Sequence, residues 1–151
     1  ERHARDFDIA GAAKRYRELL ARGGTPSERR HWFIRLGDCL VRLQRDDEGA
    51  EMYRNCIEAS NEDHGERVGC MIALARREQP SNPAEALRWL DRALELETGR
   101  GNQTAHELAA QTARVLRDEA RETRELQWLV ENRGASETWT TRLEELRGQR
   151  R

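Results

Sequence analysis

The stretch GAAKRYREL, residues 11–19, contains a tyrosine whose position recurs along the chain. The recurring residue is large and apolar or aromatic each time, in steps of 37, 37 and 36 residues, at Tyr16, Tyr53, Leu90 and Leu126. The residue four positions earlier is small in the first three instances and acidic in the fourth: Ala12, Gly49, Ala86 and Glu122. A fixed period in the mid-thirties is typical of stacked helical hairpins. The sequence therefore predicts an all-α helical-hairpin solenoid.

The composition agrees with a thin array. Hydrophobic residues make up 36% of the 151 residues and charged residues also 36%, whereas ordinary globular domains have about 45–50% apolar residues. Stacked repeats have a narrow core and much surface, so they tolerate this polarity. Disorder is the alternative for such a composition, but a disordered chain would not keep a regular phase of leucine and alanine. We expect a single helical-repeat domain over residues 1–151.

Clusters of glycine, proline and small polar residues separate stretches whose apolar residues recur at helical spacing. Such clusters predict loops at residues 23–27, 60–65, 80–83, 98–102 and 134–136. We expect about three and a half repeats and a C-terminal cap helix, in the order half repeat 7–22, repeat 27–60, repeat 64–97, degenerate repeat 102–132 and cap helix 136–148. Asn82 followed by Pro83 predicts a helix start, and Ser136 predicts another.

Residues 102–132 contain no glycine or proline. They predict either one helix of about 45 Å, at 1.5 Å per residue, or two helices with a break at Arg117-Asp118. The period favours the break, because Leu126 falls where the fourth repeat requires its large residue.

Several segments resemble the tetratricopeptide repeat, whose pattern is W-x2-L-G-x2-Y on a first helix and A-x3-F on a second. The segments are Phe33-x2-Leu36-Gly37-x2-Leu40, Gly49-x3-Tyr53-x2-Cys56, PAEALRWLDRALELE at residues 83–97, and His106-x2-Ala109-Ala110-x2-Ala113, which keeps the small residues without the bulky ones. The resemblance covers about residues 7 to 132. It implies a non-catalytic module for protein–protein interaction.

In that family the first helices line a concave groove that holds a peptide or a partner helix. The resemblance implies as groove residues His31, Ile34, Asp38, Arg42, Met71, Ala75, Arg76, Thr104, Glu107, Gln111 and Arg114. The third repeat fits two registers, of which the first gives Val68, Met71 and Ala75 and the second gives Gly69, Ile72 and Arg76. These positions can equally be ordinary solvated or packing positions. A lysine–asparagine clamp for a terminal carboxylate is disfavoured, because Ile34 and Asp38 occupy the relevant places.

Residues that would carry chemistry lack the necessary pattern. There is no G-x-S-x-G, Walker or G-x-G-x-x-G sequence, and no CxxC or HxxxH spacing, so we predict no enzyme activity, metal or cofactor. An odd number of cysteines without paired spacing, at Cys39, Cys56 and Cys70, argues against a disulfide framework. We expect all three to pack in the core and the protein to lie in a reducing compartment, the cytoplasm.

The function we expect is a scaffold or assembly module that binds a protein or peptide. One alternative is a structural array that associates with itself through its N-terminal repeat, which looks truncated; since the chain starts at Glu1 we expect a piece of a longer protein. Another is a nucleic-acid binder, suggested by many arginines but disfavoured by a net charge of −1. No apolar stretch is long enough for membrane insertion. Trp32 and Trp139 are predicted core residues, and we favour packing on a neighbouring repeat over ligand binding for Trp89 and Trp128.

Overall fold

A computed structural model describes residues 2–59, 64–96 and 102–149. Within these ranges the chain forms eight α-helices and no strand, which confirms the all-α prediction. The helices are α1 (Arg2–Arg22), α2 (Pro26–Arg42), α3 (Asp46–Ala59), α4 (His64–Glu78), α5 (Pro83–Glu95), α6 (Gln103–Val115), α7 (Glu119–Arg133) and α8 (Glu137–Gln149). Most of the predicted loops at 60–65 and 98–102 lies outside the described residues.

The chain divides into two compact units, Glu1–Leu74 and Ala75–Arg151, with the boundary inside α4. In the first unit α1 packs on α2 and α2 on α3. In the second unit α5 packs on α6, α6 on α7 and α7 on α8. Within α1–α3 and within α5–α8, each helix thus packs on the next one in sequence, as in stacked hairpins.

Polar side chains cap the N-termini of several helices by accepting hydrogen bonds from backbone amides of the first turn. Thr25 Oγ1 accepts a hydrogen bond from the Glu28 amide, and Glu28 Oε1 accepts one from the Thr25 amide, which completes a capping box. Asn82 accepts from the Glu85 amide ahead of Pro83, as predicted. Asn102, Asp118 and Ser136 cap α6, α7 and α8 in the same way.

The same turn joins α2 to α3 and α6 to α7. Gln44 and Arg117 each have a positive φ, 60° and 57°. The next residue's amide bonds back to the helix in both cases, Arg45 to the Leu40 carbonyl and Asp118 to the Ala113 carbonyl. These residues close the helix by a left-handed C-terminal turn of the Schellman type. The turn at Arg117 confirms the predicted break in residues 102–132. The number of residues between Gln44 and Arg117 equals the number between Tyr53 and Leu126, so the two turns follow the same period as the large residues.

In the first unit, two glycines let α2 and α3 approach each other. The Tyr53 ring lies so close to Gly37 that an added Cβ would be 2.8 Å from the ring. A Cβ on Gly49 would be 2.8 Å from Val41 Cγ2. The Tyr53 hydroxyl donates to Asp38 Oδ1 at 2.6 Å, so the buried ring has a partner for its polar end.

The cysteine prediction needs a correction. Cys56 on α3 and Cys70 on α4 are joined by a disulfide, although their separation of 14 residues matches no disulfide or metal motif. Both are buried as predicted, while Cys39 is half-buried and free. Burial raises the pKa of the Cys39 thiol. Linear spacing failed here because two helices bring the buried residues together in space. The disulfide also removes the cysteine argument for a reducing compartment.

The second unit has its own apolar core. Leucines of α7 and α8 form one buried cluster with Ala110 of α6, and Trp128, Val130 and Trp139 pack against it. The α8 contribution is Leu143 and Leu146, which lie on the same helix face as Trp139. The opposite face, including Glu144 and Arg147, is exposed. Helix α8 therefore has one apolar and one polar face, as a cap helix requires.

Candidate functional site: a groove in the C-terminal unit

Helices α6, α7 and α8 enclose a groove with a volume of about 330 Å³, which we call the C-terminal groove. Its lining comes from all three helices and the turn before α8: Glu107, Ala110, Gln111, Arg114, Glu122, Leu126, Leu129, Ser136, Thr138, Trp139 and Arg142. The volume lies at the lower end of the range for small-molecule sites. It fits one or two side chains of a larger ligand.

The floor of the groove is apolar. Leu126 and Leu129 of α7 belong to the buried cluster, and so does Ala110 of α6. The half-buried Trp139 of α8 packs against the same cluster and faces the groove. An apolar side chain placed here would exchange water for a preformed hydrophobic surface, which is favourable.

One wall is polar and follows α6. Glu107, Gln111 and Arg114 are spaced by four and three residues, so they share one helix face. Glu107 Oε1 accepts a hydrogen bond at 2.6 Å from the side-chain nitrogen Nε2 of Gln103, and Gln111 and Arg114 are exposed. The wall thus presents an acidic group and a basic group about 10 Å apart, at 1.5 Å per residue.

A bidentate ion pair joins α7 to α8 beside the floor. Arg142 Nε donates to Glu122 Oε2 at 2.8 Å and Arg142 Nη2 to Glu122 Oε1 at 3.0 Å. Only 3% of Glu122 is exposed. Hydrogen bonds to Glu122 and to Glu145 raise the pKa of Arg142 above its ordinary value. The pair fixes the cap helix against α7 and holds its charges in place.

A second network of hydrogen bonds and ion pairs ties α5, α6 and α7 together. His106 Nδ1 donates to Glu125 Oε2 at 2.6 Å, and Arg121 Nε donates to Glu125 Oε1 at 2.6 Å. Arg121 Nη2 also donates to Asp91 Oδ1 of α5 at 2.6 Å. His106 and Glu125 are 7% and 4% exposed.

This network holds its carboxylate ionised. Burial alone would raise the pKa of Glu125, but the hydrogen bonds from His106 and Arg121 outweigh it and keep the pKa below its usual value. Burial would likewise lower the pKa of Arg121, but the hydrogen bonds to Asp91 and Glu125 raise it. Every charge in the chain of contacts therefore has an opposite charge beside it, which buried ions require.

The indole of Trp128 covers the network. It stacks on the His106 ring with 3.5 Å between centroids and 15° between planes, and Arg133 lies over it at 5.5 Å. Trp128 thus stacks on a histidine of its own hairpin, and it also packs against the apolar cluster that α6 and α7 share with α8. Trp89 is half-buried beneath Arg92, 5.0 Å from the ring centroid.

The structure places the sequence-predicted groove residues in different environments. Of the four on α6, Glu107, Gln111 and Arg114 line the C-terminal groove, while Thr104 is exposed outside it. On α2, His31 and Arg42 are exposed and Ile34 is half-buried. Asp38, also on α2, accepts the hydrogen bond from Tyr53.

Two of the three predictions on α4 need a correction. Met71 and Ala75 are both 0% exposed, so they are core residues and do not present a surface for a ligand. Arg76, next to Ala75, is exposed. The error arose because α4 is apolar along most of one face. The repeat pattern therefore fits the helix in two registers, and the sequence does not show which positions are exposed.

Several groove residues were missed by the sequence analysis. Trp139, Thr138 and Arg142 come from α8, which looked like a solvating cap only. Glu122 was seen only as a poor match to the small residue of the repeat. That mismatch was a usable signal, because an acidic residue at a buried repeat position needs a cation nearby. Arg142 supplies it.

No protein-family model, curated protein or solved structure matches the chain. Over the described ranges, no helix is long and apolar enough to cross a membrane. Nor do three or more histidine, cysteine, aspartate or glutamate side chains cluster in the part of the chain that the structure describes in a way that could hold a metal ion.

Proposed function

We propose that the protein is a non-catalytic interaction module of the tetratricopeptide type, and that it binds a peptide or a partner helix in the C-terminal groove. The observation that carries the proposal is the groove itself, because its apolar floor and polar wall suit an amphipathic segment. Three of the residues that the repeat resemblance selects, Glu107, Gln111 and Arg114, form its wall. Such a module acts as part of a larger scaffold or assembly.

The walls favour binding over acid–base chemistry. A general acid or base works best with a pKa near the operating pH. Glu122 and Arg142 instead form a closed bidentate pair in which the pKa of Arg142 is raised further from neutrality. Arg142 therefore keeps its positive charge, which suits orienting a ligand.

Rigid support reduces the cost of binding. The Glu122–Arg142 pair holds α7 and α8, and the His106–Glu125–Arg121 network holds α6 and α7. A groove whose walls are already in place loses less conformational entropy when a ligand arrives.

The charges predict which peptide fits. An apolar anchor would occupy the floor beside Trp139. A basic residue on one side of the anchor would face Glu107, and an acidic residue on the other side would face Arg114. We therefore expect an amphipathic segment with opposite charges about 10 Å apart along its axis, a distance that follows from the α6 rise.

Selection from a peptide library tests this proposal. Peptides are selected on the full chain, and their affinities are measured by titration calorimetry against three proteins: the original chain, Gln111→Arg and Gln127→Arg. Gln111 lies in the wall, whereas Gln127 is an exposed residue of α7 outside the groove lining. The two variants carry the same chemical change and differ only in place.

We expect the Gln111→Arg change to weaken binding by at least about tenfold, which is about 1.4 kcal/mol, while Gln127→Arg leaves it unchanged. Glu107→Lys should in addition shift the selected peptides from a basic to an acidic flanking residue. Failure to select any peptide, or equal losses in both glutamine variants, would show that the groove is not the binding site.

A further inference from the structure

The first unit carries an exposed apolar surface on α1. Phe7 is 83% exposed, more than the other exposed large hydrophobic residues, Val115 and Leu116. It borders a shallow open depression lined by Asp6, Phe7, Ala10, Gly11 and Lys14, which we call the α1 face. These residues recur at helical spacing, so they form one continuous side of the helix.

Another part of the α1 surface packs against α2. Ala13 is buried against Leu36 and Leu40 of α2, and Tyr16 and Leu20 of α1 pack against the same cluster. Helix α1 thus has an apolar stripe facing α2 and, beside that stripe, a second apolar site around Phe7. A surface helix normally has a single apolar stripe, which faces the core. A helix with further apolar sides normally has those sides buried by other parts of a protein.

We propose that the α1 face binds the α1 face of a second copy of this chain, with the two helices antiparallel. The argument is charge complementarity. Asp6 and Lys14 stand at opposite ends of the face, eight residues or about 12 Å apart. An antiparallel pair related by a two-fold axis sets Asp6 of one copy beside Lys14 of the other, twice. A parallel pair would set like charges side by side.

The centre of the face suits a close crossing of the two helices. Ala10 and Gly11 lie midway between the charged ends, and a Cβ added at Gly11 would meet nothing within 4 Å. Small residues let two helix backbones approach. With the crossing at this point, Phe7 of each copy lies over the side chain of Lys14 of the other, where the aliphatic stem and the ammonium both contact the ring favourably.

The small area of the interface makes the pairing weak. One helix from each copy buries less than the roughly 1,200 Å² of a small specific interface. We therefore expect a reversible dimer that forms in the micromolar to millimolar range, and it does not depend on ligand binding in the C-terminal groove.

Sedimentation equilibrium with charge-reversal variants of the whole chain tests the pairing. The weight-average mass of the original chain should rise above 17.6 kDa toward twice that value as its concentration increases to about 1 mM. Asp6→Lys alone and Lys14→Glu alone should each remain monomeric, since each brings like charges together. Their equimolar mixture should associate, and the double variant Asp6→Lys/Lys14→Glu should recover dimerisation.

Two further variants sharpen the result. Phe7→Ala should raise the dissociation constant by about tenfold, since it removes the main apolar contact. Glu51→Lys makes the same charge change as Asp6→Lys at an exposed position of α3, and it should dimerise like the original chain. Circular dichroism checks that each variant keeps its helices.

A chain that stays monomeric at about 1 mM overturns the proposal, because a millimolar dissociation constant is the weakest that it allows. Association of both single-charge variants to the same extent as the original chain overturns it as well. So does a mixture of the two variants that stays monomeric while the original chain dimerises.

Discussion

The α2–α3 hairpin and the α6–α7 hairpin have the same turn but are held together by different means. In the first, the tyrosine ring of Tyr53 packs into space left by Gly37, and Gly49 packs against Val41. In the second, alanines of α6 are buried, and the hydrogen-bonded His106 and Glu125 are buried as well. The first hairpin relies on large and small apolar residues, whereas the second adds a buried polar network.

Positions that match in the sequence period thus occupy corresponding places in the two hairpins, although their chemistry differs. His106 stands where the repeat pattern has its tryptophan, and the missing aromatic volume comes from Trp128 of the next helix. Glu122 stands where the pattern has a small residue, and Arg142 of α8 neutralises it. The second hairpin therefore gains charged and polar groups beside a groove, which makes it the better candidate for recognition.

Of the substitutions that test this difference between the hairpins, loss of the Tyr53 ring should lower the free energy of unfolding most. We expect Tyr53→Ala to lower the free energy of unfolding by about 4 kcal/mol, because it leaves a large cavity between α2 and α3. Urea unfolding followed by circular dichroism measures this. A loss below about 1 kcal/mol would mean that the ring does not hold the first hairpin together.

The second-largest loss of stability should follow from neutralising Glu125, at the centre of the polar network. Glu125→Gln should lower the free energy of unfolding by about 3 kcal/mol at neutral pH, since Arg121 and His106 lose their buried carboxylate. The pKa of Glu125 is lower in the folded chain than the ordinary value of 4.5. Its stabilising contribution is therefore complete above pH 4.5 and is lost as the pH falls through the folded pKa.

The difference in stability between the original chain and Glu125→Gln should accordingly shrink below about pH 4.5. Urea unfolding at a series of pH values measures it. Glu144→Gln is the matched control, because Glu144 is exposed on α8, and it should change little at any pH. A difference that stays constant on acidification would contradict the assignment of Glu125 as an ionised, paired carboxylate.

The smallest effect concerns the close approach of α2 and α3. A Cβ at Gly49 would lie 2.8 Å from Val41 Cγ2 and 3.2 Å from the Gly37 carbonyl oxygen. Gly49→Ala should therefore lower stability by about 1–2 kcal/mol, despite the better helix propensity of alanine. Gly69→Ala on α4 meets nothing within 4 Å and should stabilise by up to about 1 kcal/mol. Thermal unfolding compares the two, and equal effects would refute a contact specific to Gly49.

Local signals in the sequence predict the helices well. Periodic apolar residues, the Asn82-Pro83 start and the break at Arg117 all depend on short-range physics, and the structure confirms them. The repeat resemblance also selects Glu107, Gln111 and Arg114 on one face of α6, which line the C-terminal groove; that they bind a ligand stays a prediction. Whether the chain is a tetratricopeptide array stays a prediction.

Contacts between distant residues could not be predicted from spacing. The Cys56–Cys70 disulfide and the Glu122–Arg142 pair each join two helices, and neither has a sequence motif. Met71 was misplaced because a helix that is apolar over most of one face gives no clear register. Burial of a charge or a cysteine becomes visible only when the packing of the helices is known.

Amide chemical-shift mapping with a library-selected peptide determines whether α6, α7 and α8 form a binding groove. On addition of the peptide, we expect shift changes at Gln111, Arg114 and Thr138 and at the indole of Trp139, with Gln127 unaffected. Changes confined to other helices, or shifts at Gln127 as large as those at Gln111, would contradict it.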